Sequence, residues 1–473
     1  MNQAKSIALN LTTAANQVLS KQARTAVSAT TGMQPFTVGP LGNFPYYWQD
    51  PQSLVFNAKT YDWIDASLKA NTSPIQQGQP FTNLFIAALS KVSYSLSQAD
   101  QNKLNQDRSK ILLQQTALLQ AWKDAFGQLP SISNNQQAID TIINKITQTW
   151  ASPPVSLTDL QHNPQPRQLL NQTPEAGQSV VPVLVDYLNA LGAGVSLLNA
   201  VTMNDAYLHH ALLAVQRPDE SNGGLLTNDG KLRPAYAVKT PLKKIIAGLN
   251  AKDRNTAFSV SMQVSRSQHD ELIISQSNQP SVKLPSESFL SIKTKDEQEL
   301  FDQQVLPADS DEVTVQFDFS GLTTVYFTPV SFLMSSLQYW YWVGPINAAI
   351  RNGDDDVSGY KFSPQPQIDF SKSGPFGYLY AVAISKYPTV TLTVKQSQQS
   401  AWVQKISAAK AVKINFLEQP IGDDDDVNYS LSVIKSRGRS DSLLIKLQPL
   451  EKSHASINST AYVHGVLVER PTV

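Results

Sequence analysis

The spacing of hydrophobic residues changes near residue 256, and this change constrains the fold more than any other feature of the sequence. Before it, apolar residues recur roughly every three to four positions, which is typical of amphipathic helices. After it, apolar and polar residues alternate, as in 313–319 and 429–433, which is typical of antiparallel strands. The sequence therefore predicts an α+β protein, with an N-terminal α-helical domain followed by an antiparallel β-rich, sandwich-like domain.

The same pattern predicts the domain boundaries. Residues 1–216 form the helical domain, 217–256 form a linker with one short helix, and 257–473 form the β domain. Within the first domain, 179–216 is mostly Val, Leu, Ala and Gly, so we expect it to be a central buried helix. Insertion of this helix into a membrane is the alternative, and Asp186 weighs against it because a carboxylate is costly inside a bilayer.

The composition excludes several classes of protein. The 473 residues include 38 basic and 38 acidic ones and no cysteine. Zero net charge gives no attraction to nucleic acid, and the lack of cysteine excludes a disulfide scaffold. The first residues lack the apolar core of a signal peptide, and no run is apolar enough for a transmembrane helix. We therefore predict a protein that is cytoplasmic or exported without a Sec signal peptide.

The longest stretch without Lys, Arg, Asp or Glu is 319–350, and it contains Tyr339, Trp340, Tyr341 and Trp342. In an extended segment alternate residues share a face, so the two tryptophans would form one pair of rings and the two tyrosines another. Exposed ring pairs stack on sugars or lie at membrane interfaces, which makes these residues a candidate ligand site. The alternatives are a buried strand of the β core and a membrane-seeking hairpin.

Three acidic loops each precede a predicted strand. Carboxylates from separate loops supply the roughly six to eight oxygen ligands that Ca²⁺ requires, so a calcium site is one hypothesis. Solvated turns at the ends of strands are the alternative. The candidate ligands are Asp309, Asp311, Asp354, Asp355, Asp356, Asp423, Asp424 and Asp425.

A polar cluster lies near the end of the predicted central helix. Asp205 and His209 are four residues apart, beside His210, so the first two share a helix face. Such a pair can bind a metal or transfer a proton, but cations at a helix C-terminus need no further role. We therefore expect a helix-end polar cluster. No motif of serine hydrolases, zinc peptidases or phosphate-binding loops is present, which argues against an enzyme.

The leading hypothesis is a non-catalytic protein that binds a membrane surface or a glycan. A helical domain before a cysteine-free β domain with an uncharged aromatic stretch resembles the general layout of bacterial two-domain pore-forming toxins. The resemblance implies a toxin-like protein that binds membranes or carbohydrate. One alternative is a structural protein that self-assembles, because low charge and zero net charge favour association. Another is an enzyme with a site at the domain interface, where pockets tend to form.

Overall fold

The protein combines helices with antiparallel sheets, which confirms the predicted α+β class. The computed structural model describes residues 3–25, 35–39, 42–50, 52, 54–68, 77–130, 134–148, 157, 160, 172–266, 271–276, 280–294, 299–301, 313–395, 408–409, 411–422, 429–435, 442–450 and 458–472. The helices in these ranges are α1 (Gln3–Thr25), α2 (Ala58–Ile64), α3 (Phe81–Leu89), α4 (Gln98–Phe126), α5 (Asn135–Thr147), α6 (Val181–Gly192), α7 (Val195–Gln216), α8 (Leu242–Leu249), α9 (Ser286–Phe289) and α10 (Val343–Asn352), with short 3-10 helices at Glu175–Gly177 and Arg254–Thr256.

The strands are mostly short in the first half of the chain and longer in the second. They are β1 (Asn43–Pro45), β2 (Ala66–Leu68), β3 (Gln77–Pro80), β4 (Val92–Ser95), β5 (Leu225–Leu226), β6 (Leu232–Arg233), β7 (Tyr236–Val238), β8 (Phe258–Arg266), β9 (Glu271–Ser275), β10 (Val282–Pro285), β11 (Leu290–Thr294), β12 (Val313–Phe319), β13 (Thr323–Pro329), β14 (Gly359–Phe362), β15 (Tyr378–Ser385), β16 (Thr389–Lys395), β17 (Ala411–Phe416), β18 (Gln419–Pro420), β19 (Tyr429–Lys435), β20 (Ser442–Pro449) and β21 (Thr460–Glu469).

The chain divides into two compact units, each built from segments that are distant in sequence. The β-rich unit comprises Met1–Ser90, His210–Val343 and Pro366–Val473. The helical unit comprises Lys91–His209 and Gly344–Gln365. In sequence, the helical unit therefore interrupts the β-rich unit twice.

This division differs from the predicted domains 1–216, 217–256 and 257–473. The difference begins with α1, which is helical as predicted but belongs to the β-rich unit. Its buried residues Ile7 and Leu11 lie in the same apolar core as the strands of the larger sheet. Helical spacing shows that one face of α1 is buried, but it does not show which partner covers that face.

The β-rich unit contains a ten-stranded and a five-stranded sheet. The larger follows the order β10-β9-β8-β12-β16-β20-β19-β17-β11 with β18 beside β17, and the smaller follows β1-β21-β15-β13-β7. In β12 every second residue is buried, so the alternation in the sequence places one face of the strand in the core. The rings of Phe319 in β12 and Tyr462 in β21 lie 5.3 Å apart between centroids, which brings the two sheets into contact.

The helical unit has its own apolar core where α4, α5 and α6 pack together. Trp122, Ile142 and Leu184 contribute one buried side chain from each of these helices. At the start of α4, the Ser97 Oγ caps the helix by accepting a hydrogen bond from the Asp100 backbone N–H at 3.1 Å. The cap satisfies one of the backbone donors that a helix leaves unpaired at its N-terminus.

The predicted central buried helix 179–216 is two helices, α6 and α7, which corrects that expectation. Gly194 separates them, because its φ of +74° is a conformation that favours glycine. Much of α7 is exposed, including 51% of Met203.

The stretch Val181–Gln216 is nevertheless long and apolar enough to cross a membrane, with a mean hydropathy of 1.5 in its most apolar window. Only 17% of that window is buried, whereas a core helix would be mostly buried. One such helix is weak evidence for a membrane span. The expectation that the chain has no transmembrane helix therefore stays a prediction.

Candidate functional site

A polar cleft of about 460 Å³ opens in the β-rich unit beside α2, the N-terminus of α3 and β6. The cleft combines carboxylates, cations, an aromatic ring and small residues. Its lining residues are Tyr61, Asp62, Asp65, Ala66, Gly78, Pro80, Thr82, Asn83, Lys231, Arg233 and Pro234.

Asp65 lies at the inner side of this cleft and caps α3 from outside that helix. Its Oδ1 accepts a hydrogen bond from the Thr82 backbone N–H at 3.0 Å, and its Oδ2 accepts one from the Thr82 Oγ at 2.7 Å. The residue that precedes the helix, Pro80, makes no side-chain cap. Asp65 therefore takes over the role that Ser, Thr, Asp or Asn usually has directly before a helix.

Burial changes the protonation of Asp65. The residue is only 5% exposed, and desolvation raises the pKa of its carboxyl group from the usual 3.8 to about 6. The hydrogen bonds from Thr82 and from the Tyr236 hydroxyl, the latter 2.9 Å long, oppose this rise because they favour the charged form. Asp65 is therefore a buried carboxylate that remains mostly ionised at neutral pH.

Arg233 is fixed on the other side of the cleft by two carboxylates. Its guanidinium nitrogens lie 2.6 Å from Asp62 Oδ1 and 2.8 Å from Asp229 Oδ2. Its central carbon lies 4.9 Å from the centre of the Tyr61 ring, within the range of a cation–π contact. Burial lowers the pKa of Arg233, but the bonds to Asp229 and Asp62 outweigh it, so the pKa is raised.

The turn before β6 holds the carboxylate that orients Arg233. Asp229 Oδ1 accepts a hydrogen bond from the Thr227 hydroxyl at 2.6 Å, and Lys231 lies 3.7 Å from Asp229 Oδ2. Two hydrogen bonds keep the pKa of Asp229 well below its usual range. The bond from the Thr227 hydroxyl has the larger effect, and the bond from Arg233 has the next largest. The turn therefore presents Lys231 and Arg233 to the cleft from a fixed backbone.

The predicted aromatic site lies in a different part of the β-rich unit. Its role in binding a ligand stays a prediction, but the extended geometry expected for its four residues is wrong. Trp340 is fully buried, and its Nε1–H donates to the Ala235 carbonyl at 2.8 Å. Tyr339 has a φ of +66°, so the segment is not the extended strand that would place alternate rings on one face. Tyr339, Tyr341 and Trp342 are half-buried, and burial raises the pKa of Tyr341.

The calcium hypothesis can be examined at one of the three acidic loops, the one that contains Asp354, Asp355 and Asp356. All three side chains are exposed. Asp356 Oδ1 accepts a hydrogen bond from the Gln98 backbone N–H at 2.8 Å, at the start of α4 within the helical unit. No three His, Asp or Glu side chains among the described residues are grouped to hold a metal ion. Asp309, Asp311, Asp423, Asp424 and Asp425 lie outside the described residues.

The helix-end cluster lies in the second half of α7. Asp205 and His209 are exposed and His210 is half-buried. These residues are not part of a group of three His, Asp or Glu side chains that could hold a metal ion in the described part of the chain, and the prediction of a helix-end polar cluster stays a prediction.

Sequence reasoning missed the residues of the polar cleft. Asp65 and Tyr236 are 171 positions apart, as are Asp62 and Arg233, and no local motif joins such distant residues. The segment around Asp65 predicts only an amphipathic helix, and a buried carboxylate is not visible in that pattern.

Comparison with known proteins gives no functional information. Neither family models, nor curated proteins, nor solved structures gave a match to this chain. The function must therefore be argued from the chemistry of the site.

Proposed function

We propose that the protein is a non-catalytic binding protein and that its polar cleft binds a short saccharide. The observation that carries the proposal is the balanced charge of the lining, in which Asp62 and Asp65 oppose Lys231 and Arg233. A neutral ligand with many hydroxyl groups donates to the carboxylates and accepts from the cations, and it leaves no charge unpaired. A strongly charged ligand would repel one half of the lining.

The cleft is suited to a small ligand because its polar groups are fixed before binding. Arg233 is held between Asp62 and Asp229, so its guanidinium loses little freedom when a ligand arrives. Asp65 is held by Thr82 and Tyr236 in the same way. The volume of about 460 Å³ lies within the range of roughly 300–1,000 Å³ that is usual for small-molecule sites.

Calorimetric titration with a panel of neutral mono- and oligosaccharides tests the proposal. The informative variants are Asn83→Ala and Lys231→Ala, because both residues line the cleft and are exposed. Loss of one ligand hydrogen bond weakens binding about tenfold. Lys243→Ala is the matched control, since Lys243 is exposed on α8 and does not line the cleft.

An Asn83→Trp variant gives a second readout that does not depend on one hydrogen bond. The indole would fill the cleft and abolish saccharide binding, whereas Asn83 makes no contribution to the apolar core. The proposal fails if no neutral saccharide binds the wild-type protein, or if binding survives unchanged in the Asn83→Trp protein.

Hydrolysis of a glycoside is a second candidate function. The observation that favours it is the presence of Asp62 and Asp65 in one cleft, with the pKa of Asp65 raised by burial to about 6. Glycoside hydrolases pair one protonated and one ionised carboxyl group, so this activity would appear below about pH 6, where Asp65 holds its proton. Release of reducing sugar by the wild-type protein, and its loss in Asp62→Asn, would support hydrolysis over binding alone.

The other hypotheses from the sequence stay predictions. They are a toxin-like, pore-forming activity, self-assembly, and an enzyme site at a domain interface. The polar cleft lies within one unit and argues for none of them.

A further inference from the structure

A short hairpin in the uncharged stretch presents two large apolar side chains to solvent. Leu333 and Met334 are adjacent, and they are 46% and 48% exposed. They lie at the turn of the hairpin 331–341, followed by the exposed Ser335 and Ser336. The two residues form a small exposed apolar patch at the tip of a loop.

The hairpin is held in place by backbone hydrogen bonds, so this exposure is a fixed feature. The Leu333 N–H donates to the Gln338 carbonyl at 2.9 Å, and the Phe332 N–H donates to the Tyr341 carbonyl at 3.0 Å. The Tyr339 N–H donates to the Asn222 carbonyl at 2.8 Å. The tip therefore cannot fold back on the protein without breaking these bonds.

Aromatic residues support the base of the hairpin. The rings of Phe332 and Trp342 stack with 5.3 Å between their centroids. Trp340, between Tyr339 and Tyr341, is fully buried and anchors the segment that follows the turn, because its Nε1–H donates to the Ala235 carbonyl. The half-buried rings of Tyr339 and Trp342 have both apolar surface and polar atoms, a combination that favours the boundary between water and hydrocarbon.

The charge pattern suits a lipid surface. No Lys, Arg, Asp or Glu occurs from 319 to 350, so the tip itself brings no charge into an apolar phase. The exposed Asp219 and Glu220 lie on the loop that holds the base of the hairpin through the Ser221 and Asn222 carbonyls, so only the tip can enter that phase. A protein partner fits less well. A standard protein interface buries about 800 Å² of surface on each partner, and two half-exposed side chains offer far less surface than that. An apolar tip above a base of aromatic rings needs only to enter the bilayer interface.

We propose that the hairpin 331–341 inserts Leu333 and Met334 into the interface of a zwitterionic lipid bilayer. This contact is separate from the saccharide site proposed above and does not depend on it. Because the hairpin is uncharged, its binding needs no anionic lipid and is insensitive to salt.

Co-sedimentation of the full-length protein with phosphatidylcholine vesicles tests this proposal. The double variant Leu333→Ser/Met334→Ser should lower the partition coefficient about tenfold or more, because it removes the apolar surface of the tip. The double variant Ile434→Ser/Leu450→Ser is the matched control, since these residues are 48% and 47% exposed and lie outside the hairpin. Its partition coefficient should equal that of the wild-type protein.

Three outcomes would overturn the proposal. The first is a wild-type protein that does not sediment with phosphatidylcholine vesicles. The second is binding that requires phosphatidylserine and disappears at high salt, which would show an electrostatic contact elsewhere. The third is a hairpin variant that keeps its vesicle binding but changes from a dimer to a monomer in light scattering, which would make the tip a contact between copies of the chain. Unchanged thermal unfolding of both double variants shows that each is folded.

Discussion

The Asp65 carboxylate accepts hydrogen bonds from both the backbone N–H and the hydroxyl of Thr82, at 3.0 and 2.7 Å. One side chain therefore ends the α2 region, begins α3 and forms part of the cleft wall. A carboxylate with three structural hydrogen bonds cannot be removed without leaving buried donors unpaired. Because the same side chain caps α3 and lines the cleft, the stability of the β-rich unit is linked to the candidate binding site.

Two substitutions of Asp65 should distinguish the contribution of its hydrogen bonds to stability from the contribution of its charge. Asp65→Ala leaves the Thr82 N–H and the Tyr236 hydroxyl without their acceptor, and we expect a loss of about 3 kcal/mol in the free energy of unfolding. Asp65→Asn keeps an acceptor oxygen and should lose much less at pH 7. Chemical denaturation of the two variants measures the difference. Equal losses in Ala and Asn would show that the hydrogen bonds to Thr82 and Tyr236 do not stabilise the fold.

The pH dependence of stability should also respond to Asp65. Its pKa is about 6 in the folded protein and near 3.8 when unfolded, so the folded state holds this proton more tightly. The resulting stabilisation is fully present below about pH 4 and is lost as the pH rises through about 6, a change of about 3 kcal/mol. A plot of unfolding free energy against pH between these two values should therefore rise more steeply, or fall less steeply, for Asp65→Asn than for the wild-type protein. Parallel curves would contradict the raised pKa.

His464 should make the stability of the protein depend on pH in the opposite direction. It is 4% exposed, its Nε2 lies 2.8 Å from the Ser385 Oγ, and burial lowers the pKa of the imidazole to about 3. The unfolded chain binds a proton near pH 6.5, so this stabilisation is fully present above that value and is lost as the pH falls. Between pH 6.5 and 4 the loss is about 3 kcal/mol.

The substitution His464→Gln isolates this effect. Glutamine retains a hydrogen-bonding group for Ser385 but does not titrate, so the unfolding free energy of the variant should rise less, or fall more, than that of the wild-type protein as the pH increases from about 4 to 6.5. Because Asp65 acts in the opposite direction over the same pH range, the Asp65→Asn and His464→Gln variants should deviate from the wild-type slope with opposite signs. Deviations of the same sign would contradict one of the two pKa shifts.

Much of the β-rich fold follows from the sequence, because the strands of the larger sheet have one buried and one more exposed face. β12 has the predicted bounds, 313–319, since alternation marks such strands directly. β15 was not predicted, because nearly all its residues are buried and no alternation is visible. Helix α2 begins at Ala58, where the Asn57 side chain accepts hydrogen bonds from the backbone N–H groups of Lys59 and Thr60, a cap that the hydrophobic pattern does not show.

The candidate site was not predictable, because its residues meet only in the folded chain. Tyr61 donates from its hydroxyl to the Pro234 carbonyl across 173 positions, and single-sequence patterns report only on near neighbours. The aromatic stretch was visible, but its orientation depends on the positive φ of Tyr339, which is rare for a non-glycine residue. The sequence therefore indicated a region of interest and could not show which rings are buried.

Asp356 is expected to act as a helix cap. Its bond to the Gln98 N–H satisfies a donor at the start of α4, so Asp356→Ala should lower the unfolding free energy of the helical unit by about 1 kcal/mol. Asp354→Ala is the matched control, because Asp354 is an exposed neighbour in the same loop. Thermal unfolding followed by circular dichroism should show the same difference in stability between Asp356→Ala and Asp354→Ala in chelator and in millimolar Ca²⁺. A difference that appears only with Ca²⁺ would favour a metal site in this loop.

Gly223 should be essential for the position of the hairpin 331–341. Its φ is +83°, and a Cβ atom there would lie 2.7 Å from the Tyr339 ring, which the hydrogen bond to Asn222 holds in place. Gly230 has a nearly equal φ of +79° but open space around the added atom. Both substitutions by alanine carry the strain of a positive φ, about 1 kcal/mol.

Gly223→Ala adds a clash that Gly230→Ala lacks, and overpacking costs roughly a further 1–3 kcal/mol. Chemical denaturation should therefore rank the stabilities as wild type, Gly230→Ala and Gly223→Ala, in descending order. If the rigid hairpin is what binds lipid, Gly223→Ala should also weaken vesicle binding while Gly230→Ala does not. Equal stability of the two variants would mean that the Tyr339 ring moves aside without penalty, and the hairpin would then be less rigid than its hydrogen bonds indicate.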